Sequence, residues 1–316
     1  MKKVLIATTA LVLSVGAAAA DVTISGYGRT GIDYQEDRFG GAGNDTQVIS
    51  RLRMNIDASH SSDQGVDFGA RFRLQWDQNS SARGEGGTIN AGQLWVKSNG
   101  LTVSGGNVGG AFDNAEGIYN GEVGYQDRSF GDPNGSFFAY NSSRYDNVNR
   151  QGVNVKYAMG AVTVEASYID PDQTGLNEAA TGEEELAFAV SYKTDLYGVA
   201  AAAALDAAGI EDNDVYYLGG WYNWNDRATV GAKWIEDGEV GGVDLGRTIN
   251  LYGTYEVAPL TTLIGYIANN NRDGNETDNA FGLGATYDLG GARLSGGIER
   301  GYQEQVRADM GIRFNF

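Results

Sequence analysis

Two pairs of arginines, each separated by a single residue, form the most distinctive charged pattern in the sequence. They are Arg51 with Arg53, and Arg71 with Arg73. Side chains two positions apart lie on the same face of an extended strand, so each pair presents two like charges side by side. A guanidinium stays protonated at neutral pH, so such a row acts electrostatically. It either acts on charged solutes through its field or holds an acidic segment by ion pairs, and the pattern leaves both interpretations open.

Residues suited to covalent or acid–base catalysis are scarce. The chain has no cysteine, and its single histidine, His60, stands beside a turn predicted at Ser62. A catalytic role for His60 would require a nucleophile placed next to it, so we interpret it as a residue of the rim. The glycine pattern at 26–31 matches dinucleotide-binding loops, but it requires a following helix, and an acidic loop follows here. We therefore expect no enzyme and no cofactor.

The chain is acidic, with 23 Lys and Arg against 41 Asp and Glu and a formal charge of −18. Because phosphate binding needs a basic face, this balance argues against a nucleic-acid partner. Acid-rich segments at 211–214 and 271–276 offer oxygen ligands of the kind that Ca²⁺ binds. Neither has the spacing of an EF-hand, so we favour solvated loops over calcium sites there.

Apolar and polar residues alternate with a period of two over stretches of about ten residues. From 48 to 58, one face carries Val48, Leu52 and Ile56, and the other carries Arg51 and Arg53. The same alternation recurs at 66–77 and 306–316. About ten residues suffice for a tilted strand to cross a bilayer, and a charged face suits the wet interior of a barrel. The alanine-rich run at 199–205 could form strand or helix, and we favour strand.

Short turns and longer polar segments follow one another along the chain. We predict short turns at 62–65, 98–100, 159–160, 193–195, 225–226, 258–259 and 290–291. Seven short turns separate eight hairpins, which predicts an all-β, 16-stranded antiparallel transmembrane β-barrel. The widest gap leaves a connection at about 107–147 in which aromatic residues are interleaved with acids. A connection of that length usually has a function, and we expect it to fold into the pore.

The N-terminus has the features of a secretory signal peptide. Lys2 and Lys3 precede an apolar stretch at 4–15, and small residues occupy 18–20. The apolar stretch is too short to span a bilayer as a helix. We therefore expect cleavage after residue 20, which leaves a single barrel domain at 21–316. Loss of the two lysines brings its formal charge to −20.

The order and spacing of the predicted strands resemble the trimeric general-diffusion porins of Gram-negative outer membranes. Residues 21–31 resemble their first strand, 101–106 their fifth, and 149–168 their sixth and seventh, while 282–291 and 310–316 complete the match. The resemblance implies a multi-pass outer-membrane barrel that forms a homotrimer. It would contact membrane lipid and lipopolysaccharide and be inserted by the barrel assembly machinery.

The function implied by the resemblance is passive diffusion of ions and small hydrophilic solutes, with weak charge selectivity. The alternative is a solute-specific outer-membrane channel, which would carry a continuous aromatic track along its lumen. Aromatic residues in this sequence fall mostly on the apolar faces of the strands instead.

The resemblance also implies a pore constriction between arginines on one wall and carboxylates of the third loop. The matching wall residues are Arg51, Arg53, Arg71 and Arg73, and the matching loop acids are Asp113, Glu116, Glu122, Asp127 and Asp132. The aromatic C-terminal residue Phe316 matches the assembly signal of the family. Two positions depart from the family pattern. The loop has Asp132-Pro133-Asn134-Gly135 in place of Pro-Glu-Phe-Gly-Gly, and Asn107 stands where many relatives carry arginine.

Overall fold

The computed structural model describes residues 21–78, 86–143, 145, 149–176 and 182–316. The predicted signal peptide, residues 1–20, lies outside the described residues, as do 144 and 146–148 near the end of the long connection. Two short 3-10 turns, Arg38–Gly41 and Ala207–Gly209, lie in connections between strands. Within the described ranges, no helix is long and apolar enough to cross a membrane.

Sixteen strands of six to sixteen residues make up most of the described chain. They are β1 (Asp21–Gln35), β2 (Thr46–Ser61), β3 (Asp67–Gln78), β4 (Gln93–Ser98), β5 (Leu101–Gly106), β6 (Gln151–Met159), β7 (Val162–Asp170), β8 (Glu185–Lys193), β9 (Tyr197–Leu205), β10 (Val215–Trp224), β11 (Ala228–Glu236), β12 (Arg247–Ala258), β13 (Thr261–Asn270), β14 (Asn279–Asp288), β15 (Ala292–Arg300) and β16 (Val306–Asn315). Thr88–Ile89 adds a short pairing to β3, and Glu239–Val240 with Val243–Asp244 forms a small hairpin between β11 and β12. The glycine pattern at 26–31 lies inside β1, which excludes a dinucleotide-binding loop.

Each strand pairs antiparallel with its neighbours in sequence, and β16 pairs with β1 to close the ring. The closing register runs from Tyr27 opposite Asn315 to Gln35 opposite Arg307. Closure means that, among the described residues, each of the sixteen strands has a hydrogen-bonded neighbour on both sides, as a lipid-embedded sheet requires. The predicted 16-stranded antiparallel barrel is thereby confirmed.

The connections alternate in length as the sequence predicts. Seven short ones lie at 62–66, 99–100, 160–161, 194–196, 225–227, 259–260 and 289–291, and each overlaps a predicted turn. The turn between β4 and β5 shows why turn residues in the sequence predict these connections. Asn99 and Gly100 both have positive φ, 49° and 84°, which is the Asn-Gly geometry that joins twisted strands by two residues.

Alternation along the strands gives the barrel an apolar exterior and a polar interior. Val48 and Phe72 are 64% and 45% exposed on the outer face, while the arginines between such residues turn inward. The alanine-rich run forms β9, which confirms the strand interpretation. Its inward residues Ala200, Ala202 and Ala204 are buried. Small side chains at these positions leave space for the long connection between β5 and β6, which covers them.

Candidate functional site: the interior wall and the third connection

The four predicted wall arginines lie on the interior face of β2 and β3, in one row of cross-strand pairs that we term the arginine ladder. Its rungs are Arg51–Asp77, Arg53–Gln75, Asn55–Arg73 and Asp57–Arg71. The two outer rungs are ion pairs. Nε of Arg71 donates to Asp57 at 2.6 Å, and Arg51 donates to Asp77. The outer arginines are therefore neutralised by residues of the wall itself.

The two inner rungs have no carboxylate. Nε of Arg53 donates to the side-chain oxygen of Gln75 at 2.6 Å, and Nε of Arg73 donates to that of Asn55 at 2.9 Å. Nη1 of Arg73 also donates to Ser142 at 2.8 Å. The middle of the ladder therefore keeps two positive charges that its cross-strand partners do not cancel.

The third connection joins β5 to β6, and its described residues (107–143, 145 and 149–150) pack against the interior-facing side chains of the strands. Phe112 and Ile118 are at most 1% exposed, and they belong to a cluster with residues of β8 to β11. The strand members of this cluster are Ala187, Ala200, Ala202, Ala204, Val215, Tyr217 and Ile235. Bulky side chains of the connection thus fill the space that the small wall residues leave.

A pocket of three buried carboxylates on β1, β15 and β16 receives Arg128 of the third connection, and we term this group the acid pocket. The Arg128 guanidinium lies 2.9 Å from Asp33, 3.4 Å from Asp309 and 3.7 Å from Glu299. These carboxylate side chains are 2–3% exposed. A Cβ at Gly124 would lie 2.1 Å from Oδ1 of Asp309, and Gly124 has a φ of +80°. Glycine therefore permits the close backbone approach that seats the connection here.

Asp127 bridges Arg293 of β15 and Arg313 of β16. Beside these two arginines lies a polar cavity of about 750 Å³, whose lining includes Glu256 and Asp288 near the short-turn end of the barrel. The third connection therefore leaves open space in this part of the interior.

Three of the other four predicted loop acids also have partners outside the arginine ladder. Asp132 accepts from Nζ of Lys233 at 2.8 Å, Glu116 pairs with Lys193 at 2.5 Å, and Asp113 accepts from the Tyr119 hydroxyl at 2.7 Å. Among the described residues, no ion pair joins the five loop acids to the four ladder arginines. The ladder contacts the connection through a hydrogen bond from Arg73 instead.

Burial raises the pKa of several loop acids. For Asp132, burial outweighs the attraction of Lys233 and raises the pKa to about 6. The pKa of Glu122 lies well above its ordinary value because of burial first, and then the negative charges of Asp132 and Asp127. Burial also raises the pKa of Asp113. The negative charge of the connection therefore depends on pH over a higher range than that of free carboxylates.

The two departures from the family pattern have structural roles. Asn107 is fully buried and joins the two ends of the third connection: its amide donates to the carbonyl of Asn141 at 2.8 Å, and its oxygen accepts from the Tyr145 hydroxyl at 2.9 Å. In the Asp-Pro-Asn-Gly segment, the backbone N–H of Asn134 donates to the buried Asp237 at 2.7 Å. Both contacts fix the path of the connection.

Sequence reasoning missed most of the basic residues that hold the third connection. Arg313 was recognisable, since it lies on the polar face of the last strand. Lys233 was not, because Ile235 shares its inward face and blurs the alternation. The described residues contain no group of three or more His, Cys, Asp or Glu arranged to hold a metal ion.

Phe316 continues the ladder of β16 beyond the last assigned strand residue. Its backbone exchanges two hydrogen bonds with Gly26, at 2.8 and 3.0 Å. Its ring is 47% exposed on the outer side and lies 6.2 Å from the ring of Phe314. The C-terminal residue thus completes the seam at which the barrel closes.

Comparisons with known proteins agree with this architecture. A family model of Gram-negative porins matches residues 7–305. A porin of Fuscovulum blasticum is 42% identical over 301 residues, covering 94% of this chain and all of the relative, and a porin of Rhodobacter capsulatus is 26% identical over 324 residues with the same coverage. The solved structure of a triple mutant of Rhodopseudomonas blastica porin superposes with a TM-score of 0.86, 40% identity, and coverage of 94% of this chain and 100% of the other. With its closed barrel, charged interior and matching length, this chain belongs to the Gram-negative porin family.

Proposed function

We propose that the protein forms a passive channel in the Gram-negative outer membrane through which ions and small hydrophilic solutes diffuse. The observation that carries this proposal is a closed barrel with an apolar exterior and an interior lined by charged side chains. An apolar band matches lipid, and a polar lumen admits water and solutes. A chain built for this purpose has no need of catalysis, and we expect none.

The constriction of this channel is formed by the arginine ladder and the third connection. Positive charge at Arg53 and Arg73 remains on one wall, and carboxylates line the connection. Solutes that pass between opposite charges are oriented by the field across the gap. The nine constriction residues narrow the channel by the volume they occupy, and Arg53 and Arg73 add positive charge that their cross-strand partners do not cancel.

Selectivity among ions is weak and favours cations. The formal charge of −20 expected for the mature chain concentrates cations near the pore mouth at low salt, and the inner ladder arginines oppose this effect. The protein works as a homotrimer embedded in lipid and lipopolysaccharide. A trimer is supported by the shortness of β4 and β5, six residues each, since a lone strand needs about nine to eleven residues to cross a bilayer. Contact with a second copy would cover this low stretch of wall.

Insertion depends on the barrel assembly machinery, which reads the C-terminal strand ending in Phe316. The alternating apolar residues of β16 and the exposed terminal ring are the features available for such recognition, because they are present before the barrel closes.

Swelling of proteoliposomes in sugars of increasing size tests the proposed function. Uptake should fall smoothly with sugar size and show no saturation by any one sugar. Saturable uptake of one solute would favour a solute-specific channel, and impermeability to all sugars would contradict the proposal.

A further inference from the structure

The arginine ladder has a charge pattern that the barrel does not require. Its outer rungs, Arg51–Asp77 and Asp57–Arg71, place a carboxylate opposite each arginine. The inner rungs place an amide there, although a carboxylate of nearly the same shape would complete the row of ion pairs. Two uncompensated positive charges next to each other on adjacent strands repel, so this arrangement costs stability.

Aromatic rings hold the inner guanidinium groups in place. The guanidinium carbon of Arg53 lies 5.2 Å from the centre of the Tyr27 ring, and that of Arg73 lies 4.4 Å from the centre of the Tyr140 ring. Nε of each arginine is taken by an amide, which leaves both Nη groups of Arg53 and Nη2 of Arg73 without a protein partner among the described residues. The two groups are thus oriented but retain free donors.

We propose that the middle of the arginine ladder is a binding step for small solutes that carry a doubly charged oxyanion group, of which inorganic phosphate is the simplest. Guanidinium groups match such oxygens in charge and in the spacing of their donors. Two of them together match a dianion better than a monovalent chloride ion. The inference rests on the proposed channel function and assigns to its lumen a preference that net charge alone does not predict.

The test is the effect of phosphate on single-channel chloride currents in planar bilayers at about pH 8, where phosphate is mainly dianionic. In the natural protein, phosphate should reduce the chloride current in a saturable manner. Asn55→Asp supplies Arg73 with the carboxylate that Asp57 supplies to Arg71, with almost no change in volume. The new carboxylate competes with phosphate for the Arg73 guanidinium. Because a hydrogen bond between charged groups is worth about 1.5–3 kcal/mol, the apparent affinity for phosphate should fall about tenfold or more.

A control places the same new charge near the short-turn end of the opposite wall, where Asn223 gives up the hydrogen bond that its Nδ2 donates to the carbonyl of Asp195, so it is read in folded channels only. Asn223 lies on β10, eight strands from β2 around a ring of sixteen, and so on the opposite wall. Asn223→Asp should leave the apparent affinity within about twofold of the natural value, since a distant charge is screened by salt. Gln75→Glu repeats the test at Arg53 and should act like Asn55→Asp, which provides a second reading if one variant folds poorly.

The outcomes separate this inference from the proposed function. Open channels in which phosphate has no saturable effect would overturn the binding step and leave the channel function intact. Equal weakening by Asn55→Asp and Asn223→Asp would also overturn it, because the effect would then be one of general charge. Failure of the natural protein to form any channel would contradict the proposed function instead.

Discussion

At the scale of single residues, the two faces of β3 make opposite contributions. Arg71 and Arg73 turn into the lumen, whereas Phe72 is exposed on the outer face. Replacing both arginines by serine removes two positive charges and much side-chain volume from the proposed constriction. Cation selectivity should rise and larger sugars should enter proteoliposomes faster, while the barrel still folds. Reversal potentials and swelling rates measure both effects.

The control for this substitution lies one position away. Phe72→Arg places a charge against lipid at a cost of about 2–4 kcal/mol near the midplane. It should lower folding yield and leave the conductance of folded channels nearly unchanged. If the serine variant conducts like the natural protein while Phe72→Arg alters selectivity, the proposed constriction is misplaced.

Glu122 makes selectivity dependent on pH. Burial, followed by the charges of Asp132 and Asp127, holds the pKa of Glu122 well above its ordinary value. Because its pKa is raised, Glu122 takes up a proton and loses its negative charge at a higher pH than a free carboxylate does. Cation preference should therefore weaken as pH falls, as measured by reversal potentials in a salt gradient. Glu122→Gln should flatten part of this response, and an unchanged pH profile in that variant would exclude the role.

At the scale of elements, strands and short turns were predictable because their signals are local. Alternation marks each strand, and turn residues such as Asn99-Gly100 mark its end. The length of the turn at 62–66 also fixes the register of the arginine ladder. The anchors of the third connection were not predictable, because Arg128 and Asp309 are distant in sequence. The contact between a long connection and a particular wall forms only when the barrel closes. No local sequence pattern predicts that contact.

Two ion pairs of the third connection differ in burial and should differ in effect. In the acid pocket, Arg38 also pairs with Asp33 at 2.5 Å, and Arg307 pairs with Glu299 at 3.5 Å. Among the described residues, loss of Arg128 therefore removes the ion-pair partner of the buried Asp309, at a cost of about 3–5 kcal/mol. Arg128→Gln should lower the temperature at which the barrel unfolds and add flicker to the open-channel current. The pair of Lys193 with Glu116 has side chains 57% and 40% exposed, so Lys193→Gln should cost less than about 1 kcal/mol. Equal unfolding temperatures for the two variants would show that the acid pocket does not fix the connection.

The C-terminal strand is the element on which assembly depends. Deleting Phe316 removes its two backbone hydrogen bonds to Gly26 and its exposed ring, so the yield of heat-modifiable folded protein in outer membranes should fall. Phe316→Tyr keeps the aromatic ring and should restore most of the yield. A normal yield and normal trimer content after the deletion would refute the proposed assembly signal.

At the scale of the whole molecule, two charge distributions compete. The chain is acidic as a whole, whereas the arginine ladder keeps two positive charges, on Arg53 and Arg73, that its cross-strand partners do not cancel. Acidic outer loops act on ions at long range and are screened by salt, whose Debye length shrinks from about 10 Å at 0.1 M to about 3 Å at 1 M. The ladder acts at contact distance and is screened less. Cation preference should therefore be a property of low salt.

The most direct test of the proposed channel is its conductance in a planar bilayer, measured with reversal potentials in potassium chloride from about 0.1 M to 1 M. We predict discrete openings whose conductance rises steadily with salt concentration, with a mild cation preference at 0.1 M that fades towards 1 M. Conductance that saturates at low salt, or a clear anion preference at 0.1 M, would contradict a weakly cation-selective diffusion pore. No openings at all would contradict the channel itself.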